Sequence, residues 1–259
     1  MNDIIDITLP TTLRPSVLDT TLKSFCKNLF VDSDRYRVIF NVDPVGEECD
    51  PLEIVDIVKS YFNNVKYNIA KNPSFPVAFK WCWDQVESEN VFHMNEDWIL
   101  LRSISIDSML NVFSIYPEVA TLRLSKYKIE SDPENLIFFA NHCKYIAAKD
   151  CLIAAADRRH DQFGTSPQLI RGEYIKQSRS FLRIDKLPDK QFIRSKNKEL
   201  FETVINKWDY AIYANPGDEA LIVDIGKKWM AKNGLRRRKT KGKGPTWIKI
   251  EPSKKRTTK

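Results

Sequence analysis

The chain has 259 residues, 42% hydrophobic and 11% aromatic, enough apolar material for one large core and too much for a disordered protein. No run of about 18 apolar residues is present to cross a bilayer, and the opening M-N-D-I-I-D-I-T lacks the basic and apolar stretches of a secretion signal, so a cytoplasmic protein is expected. The net charge of +7 is uneven: eleven of the 41 basic and one of the 34 acidic residues lie beyond Gly234, so that segment carries +10 while positions 1–233 hold 30 basic against 33 acidic residues.

Residues 4–9 read as a first strand, and Pro15 opens a helix whose Val17, Leu18, Leu22, Phe25 and Leu29 recur at helical spacing. Residues 36–42 form a second apolar strand. Asp50, Pro51 and Glu53 supply an N-cap, a first-turn proline and a third-position acid for a helix over 52–62. A third strand is expected at 65–70, a third helix at 75–86 and a fourth strand at 91–94. This alternation predicts an α/β fold with helices flanking a central sheet. Ligands in such open sheets sit beyond the carboxyl ends of the strands. Those ends are polar here: T-L-P-T-T-L-R-P, N-V-D-P, K-N-P-S and N-E-D-W in turn.

Neither a G-x-G-x-x-G nor a G-x-x-x-x-G-K-[ST] phosphate loop occurs, which removes the usual support for dinucleotide and P-loop readings. Oxygen-rich N-E-D-W after an apolar strand suits a hard divalent cation, which takes carboxylates together with substrate phosphates. The bland alternative is a solvated turn. The five cysteines (26, 49, 82, 143 and 151) form no C-x-x-C pair and read as reduced thiols. His93, His142 and His160 are scattered and read as structural or surface residues.

The order T-T-L-R-P, N-V-D-P, N-P-S-F-P-V-A-F-K and N-E-D-W resembles the nucleotide-sugar domain of GT-A fold glycosyltransferases, in which the motif closing the fourth strand is D-x-D. Here the final Asp matches and the first position is Asn95. The segment 164–175, G-T-S-P-Q-L-I-R-G-E-Y-I, resembles an acceptor-side loop and helix. V-D-I-G-K-K-W-M-A-K-N-G-L (223–235), followed by Thr246-Trp247, resembles a closing motif of phage-type DNA base glycosyltransferases. The resemblance implies a GT-A-like single domain with a mixed, mostly parallel sheet. Its nucleotide-sugar half would be about 1–100 and its acceptor half about 101–233, followed by a basic tail at 234–259.

It also implies transfer of a sugar from a nucleoside diphosphate donor, UDP-sugar first among them, to a hydroxyl. Thr11, Thr12, Arg14, Asp43, Asn72, Lys80 and Glu96 would form the nucleotide-sugar pocket, and Asp97 with Asn95 would hold Mn²⁺ or Mg²⁺. If the reaction inverts the anomeric centre, Asp189 in K-L-P-D-K-Q-F-I would deprotonate the acceptor, with Glu173 as runner-up; inversion and retention both stay open. Each has a structural alternative, as a turn residue and an exposed helix position.

The basic segment reads as a polyanion-binding arm, through Arg236, Arg237, Arg238, Lys239, Lys241 and Lys243, since phosphate contacts give affinity independent of sequence. The expected acceptor is a hydroxymethylated pyrimidine in double-stranded DNA, in the host cytoplasm if the chain is phage-encoded. Two rivals stand beside it: transfer to a polysaccharide or lipid, and a non-catalytic nucleic-acid-binding protein on a degenerate GT-A scaffold.

Overall fold

A computed structural model describes residues 4–129, 145–148, 151–154, 164–192, 197–215, 217–240 and 243–249. Cys143, His142, His160 and Lys241 lie outside this set.

The amino-terminal half follows the sequence pattern closely. Strand β1 (Ile5–Leu13) leads into helix α1 (Pro15–Asn28), β2 (Tyr36–Gly46), α2 (Pro51–Tyr61), β3 (Val65–Ile69), α3 (Phe75–Asp84) and β4 (Asn90–His93). Asp50 caps α2 as its sequence position requires, its carboxylate accepting from the Leu52 N–H at 2.9 Å. After the turn come β5 (Trp98–Leu100), α4 (Ile106–Ile115), β6 (Val119–Leu124), β7 (Tyr145–Ala148) and β8 (Cys151–Ala154). The remaining elements are β9 (Gln168–Arg171), α5 (Gly172–Ser178), α6 (Pro188–Phe192), α7 (Lys198–Thr203), β10 (Asp209–Tyr213), β11 (Ile222–Asp224), α8 (Gly226–Lys232), β12 (Leu235–Thr240) and β13 (Lys243–Lys249).

Nine strands form one mixed sheet in the order β3-β2-β1-β4-β9-β6-β10-β8-β7. The pairings of β1, β2, β3 and β4 and of β6 with β10 are parallel, whereas β9 opposes both neighbours and β8 opposes β10 and β7. Seven strands therefore point one way, and β8 and β9 point the other. Both faces are covered. Ile5, Ile7 and Leu9 of β1 pack with α1, α2 and α4 on one side, and Ile39, Val91 and Ile170 pack with α3 and α5 on the other. A doubly covered sheet explains why its central strands read as near-continuous apolar runs.

Two strands run further than their hydrophobic stretches. β1 continues through T-T-L to Leu13, paired in parallel with β2 by Thr12↔Asp43 and Leu13↔Gly46. Beyond Thr8 it has no β4 partner, an edge setting that tolerates Pro10. The T-T-L segment expected as a loop is thus strand, and Asp43 lies inside β2 rather than in the turn after it. Gly46 closes this ladder with φ at 143°, and a Cβ there would strike the Leu13 carbonyl. The described part of the basic segment is also ordered, as a two-stranded antiparallel hairpin of β12 and β13.

Candidate functional site

A cavity of about 470 Å³ opens at the carboxyl ends of β1, β2 and β4. Among the described residues its ionisable lining is Asp43, Glu96, Asp97, Asp189 and Asp224 against Arg14.

The turn 94–97 is built to aim these groups. Met94 N–H donates to Thr8 O at 3.0 Å, and the Thr21 hydroxyl of α1 donates to Glu96 O at 2.5 Å, so strand and helix together fix its path. Arg14, at the start of α1 and 2% exposed, then reaches across 82 residues of sequence. Its Nη2 lies 2.6 Å from Glu96 Oε1 and 3.1 Å from Asp97 Oδ2. The Thr12 hydroxyl donates to the same Glu96 oxygen at 2.7 Å. Glu96 is therefore consumed inside the protein, while Asp97 is only partly neutralised. Burial, with Glu96 and Asp224 nearby, holds the Asp97 carboxyl above the usual range despite the opposing pull of Arg14.

The second wall comes from the far end of the chain. β11 pairs antiparallel with β5, setting Asp224 opposite Trp98, and Ile225 N–H donates to Asp97 O at 2.9 Å. Asp224 accepts from Gly226 N–H at 2.9 Å, and Gly226 packs so closely that a Cβ would collide with Asp97 Oδ2. One turn on, the Trp229 ring covers Arg14 with 5.3 Å from guanidinium carbon to ring centroid, and its Nε1–H donates to Glu47 at 3.1 Å.

On the β2 side, Asp43 accepts from Ser74 N–H at 3.2 Å and Asn41 Nδ2 at 3.3 Å, and Asn68 donates to Asn41 at 2.6 Å. Two neutral donors do not offset its burial, which pushes its pKa up to about 7, with Glu96 adding to the rise.

The structure thus brings Thr11, Thr12, Arg14, Asp43, Asn95, Glu96, Asp97 and Asp189 to one cavity, Asp189 from the first turn of α6. Thr11 and Thr12 spend their hydroxyls on Asn41 O and Glu96, and the Arg14 guanidinium is engaged by carboxylates. Three expected residues stand outside the lining. Asn72 is exposed beside the lining residues Pro73 and Ser74. Lys80 faces outward on α3, paired with Asp84 at 2.9 Å. Glu173 is exposed on α5 and accepts from Gln177 at 2.9 Å. Arg236, Arg237, Arg238 and Lys239 lie on β12 and Lys243 on β13, and the backbone of β13 passes beside α3, whose first residue, Phe75, lines the cavity.

Sequence reasoning missed Asp224, Gly226, Trp229 and Glu47. The V-D-I-G stretch was visible as a motif, but nothing local ties it to a turn some 127 residues earlier.

For the divalent ion implied by the resemblance, the described residues contain no group of three His, Cys, Asp or Glu side chains arranged as a self-sufficient cage. The donor chemistry nonetheless fits. Asp97 and Asp224 share one wall, the buried Asn95 Oδ1 has no hydrogen-bond partner, and Mg²⁺ or Mn²⁺ characteristically takes one or two carboxylates with the rest of its shell from water and phosphate.

No protein-family model matches the sequence, and no curated protein matches it. Solved structures do. TarS 1–349 from S. aureus in complex with UDP-GlcNAc superimposes with a TM-score of 0.54 at 13% identity, covering 85% of this chain and 57% of that one. A second S. aureus TarS structure gives 0.51 at 12% identity, covering 84% and 36%. The mannosyltransferase PcManGT from Pyrobaculum calidifontis, in complex with GDP-Man and Mn²⁺, gives 0.49 at 11% identity, covering 83% and 55%. The chain thus spans between about a third and three-fifths of the length of these structures. The fold is the mixed α/β arrangement of the GT-A type that the strand-end motifs implied.

Proposed function

We propose that this chain is a nucleotide-sugar glycosyltransferase whose acceptor is a hydroxymethylated pyrimidine in double-stranded DNA. The observation that carries the transferase reading is the convergence of Asp43, Asp97, Asp224 and Asp189 on one cavity at the carboxyl ends of parallel strands, on the fold shared with a structure that holds UDP-GlcNAc. Binding in that crevice is the general habit of open α/β sheets.

In this reading Asp43, on β2, accepts a hydrogen bond from the nucleoside. Glu96 and Arg14 lock each other and so orient Asp97, and Asp97 and Asp224 hold Mn²⁺ or Mg²⁺. When bound, such an ion supplies Lewis-acid neutralisation of the departing diphosphate. Asp189 takes the proton of the acceptor hydroxyl as its oxygen bonds to the anomeric carbon. The bond from that carbon to the phosphate oxygen breaks, and the nucleoside diphosphate leaves with the electron pair.

The DNA acceptor is supported by charge. The segment beyond Gly234 carries +10, and within its described part the backbone of β13 passes beside α3. Neutralising phosphates with Lys and Arg gives sequence-independent affinity that falls steeply with salt.

The test is mass spectrometry of nucleosides from hydroxymethylated DNA incubated with the protein, Mn²⁺ and a panel of nucleotide sugars. A hexose or pentose mass added to the modified pyrimidine is expected. Transfer to a glycan or lipid acceptor with untouched DNA would overturn the acceptor, and no binding of any donor would overturn the enzyme.

A further inference from the structure

We propose that Asn95 is a positioning residue, whose side-chain amide straps the loop 164–168 to the turn that carries Asp97. Asn95 stands where the D-x-D motif has its first acid. Its Nδ2 donates to the Thr165 carbonyl at 2.9 Å, across 70 residues of sequence. Both residues line the cavity.

The loop needs such a hold. The β4–β9 ladder ends at His93↔Gln168, so 164–167 runs on past the last rung just as β4 bends into its turn. Its other anchors are at its flanks: Leu124 N–H donates to Pro167 O at 3.0 Å, and the Gln168 amide donates to Gly164 O. Among the described residues, Thr165 O accepts from Asn95 alone.

The acid of the D-x-D motif could not do this. A carboxylate carries no donor at neutral pH and would set an oxygen against the carbonyl oxygen. Asn95 Oδ1, by contrast, is buried without a hydrogen-bond partner, so it is the donor end of the side chain that the fold uses. The strap makes the donor-side turn and the acceptor-side loop one mechanical unit. Its meaning for transfer rests on the nucleotide-sugar reading; the contact itself does not.

Hydrogen exchange by mass spectrometry on the intact chain tests it, with Asn95→Asp, nearly isosteric, and Asn95→Ala. Both are expected to speed exchange of the 164–168 amides about fivefold, the scale of one lost neutral hydrogen bond, with β1 and β2 unchanged. Mn²⁺ affinity in the presence of UDP is read beside it by calorimetry. Unchanged loop exchange overturns the strap, as does a rise spread evenly over β1 and β2. So does a roughly tenfold loss of Mn²⁺ affinity with the loop unmoved, which would make Asn95 a ligand instead. The two readings fail separately: local loosening in a protein that transfers no sugar keeps the strap and rejects the function, and an active enzyme with unaltered exchange does the reverse.

Discussion

Replacing Asp43 by Asn removes a carboxylate that the fold keeps at a cost. Burial holds its pKa at about 7, against 3.8 for the free side chain. Both states hold the proton below about pH 4, so the residue is then neutral toward stability. Between about pH 4 and 7 the unfolded chain has released the proton while the folded one keeps it, so unfolding gains favour as pH rises. Above pH 7 the full penalty is present. Three units at about 1.4 kcal/mol each set a ceiling of roughly 4 kcal/mol. Losing charge-assisted bonds from Ser74 and Asn41 takes back part of it, so Asp43→Asn is expected to gain on the order of 2–4 kcal/mol at pH 8 and almost nothing at pH 4. Urea unfolding followed by tryptophan fluorescence at the two pH values measures this. A variant no more stable than the parent at pH 8, with the parent's pH dependence intact, would refute the assignment of strain to this side chain.

Arg14→Met should do the opposite, leaving Glu96 and Asp97 buried without their cation. Breaking a buried pair costs about 3–5 kcal/mol, which for a chain of this size lowers the melting temperature by roughly 6–20 °C; calorimetry showing a fall under about 2 °C would sink the claim. Gly226→Ala drives a methyl into Asp97 Oδ2, and the expected result is a loss of about tenfold or more in Mn²⁺ affinity with UDP present, with only about 1–3 kcal/mol of destabilisation. Full affinity in this variant would show that α8 does not set the Asp97 carboxylate. Asp97→Asn and Asp189→Asn should part company: the first loses metal-dependent donor binding, while the second keeps the donor and loses about 10²–10⁴-fold in transfer. Equal loss of donor binding in both would remove Asp189 from the role of base.

What the sequence revealed and what it hid divide along physical lines. Helix α2 was legible because Asp50, Pro51 and Glu53 act within one turn, and the parallel strands because Val38, Phe40 and Val42 answer only to a buried sheet. The strand ends were misjudged where pairing overrode composition. Thr11 and Thr12 look like loop residues, yet the parallel register with β2 holds them in the ladder. Asp189 lines the cavity, whereas Lys80 is paired with Asp84 four residues on, an interaction that helical spacing alone offered. The motif that holds Asp224 and Trp229 gave no sign of its partners, because their contacts to the 97 turn and Arg14 exist only once β11 has paired with β5.

The acidic turn that looked like one motif is three separate assignments. Asn95 is turned to the Thr165 carbonyl, Glu96 to Arg14 and Thr12, and Asp97 to a wall that Asp224 completes. Among the described residues the cavity consequently carries five carboxylates and one guanidinium, and it is shielded enough to raise Asp43 to about 7. A bare diphosphate entering such a space meets repulsion that the shielding strengthens. Asp97 and Asp224 would hold a divalent ion that relieves them of each other and offers the phosphates a partner of opposite sign. Arg14 does not serve in its place, since its charge is divided between Glu96 and Asp97. On the proposed reading, the carboxylates that cost the fold stability at neutral pH would therefore favour an anionic donor that enters together with a divalent ion.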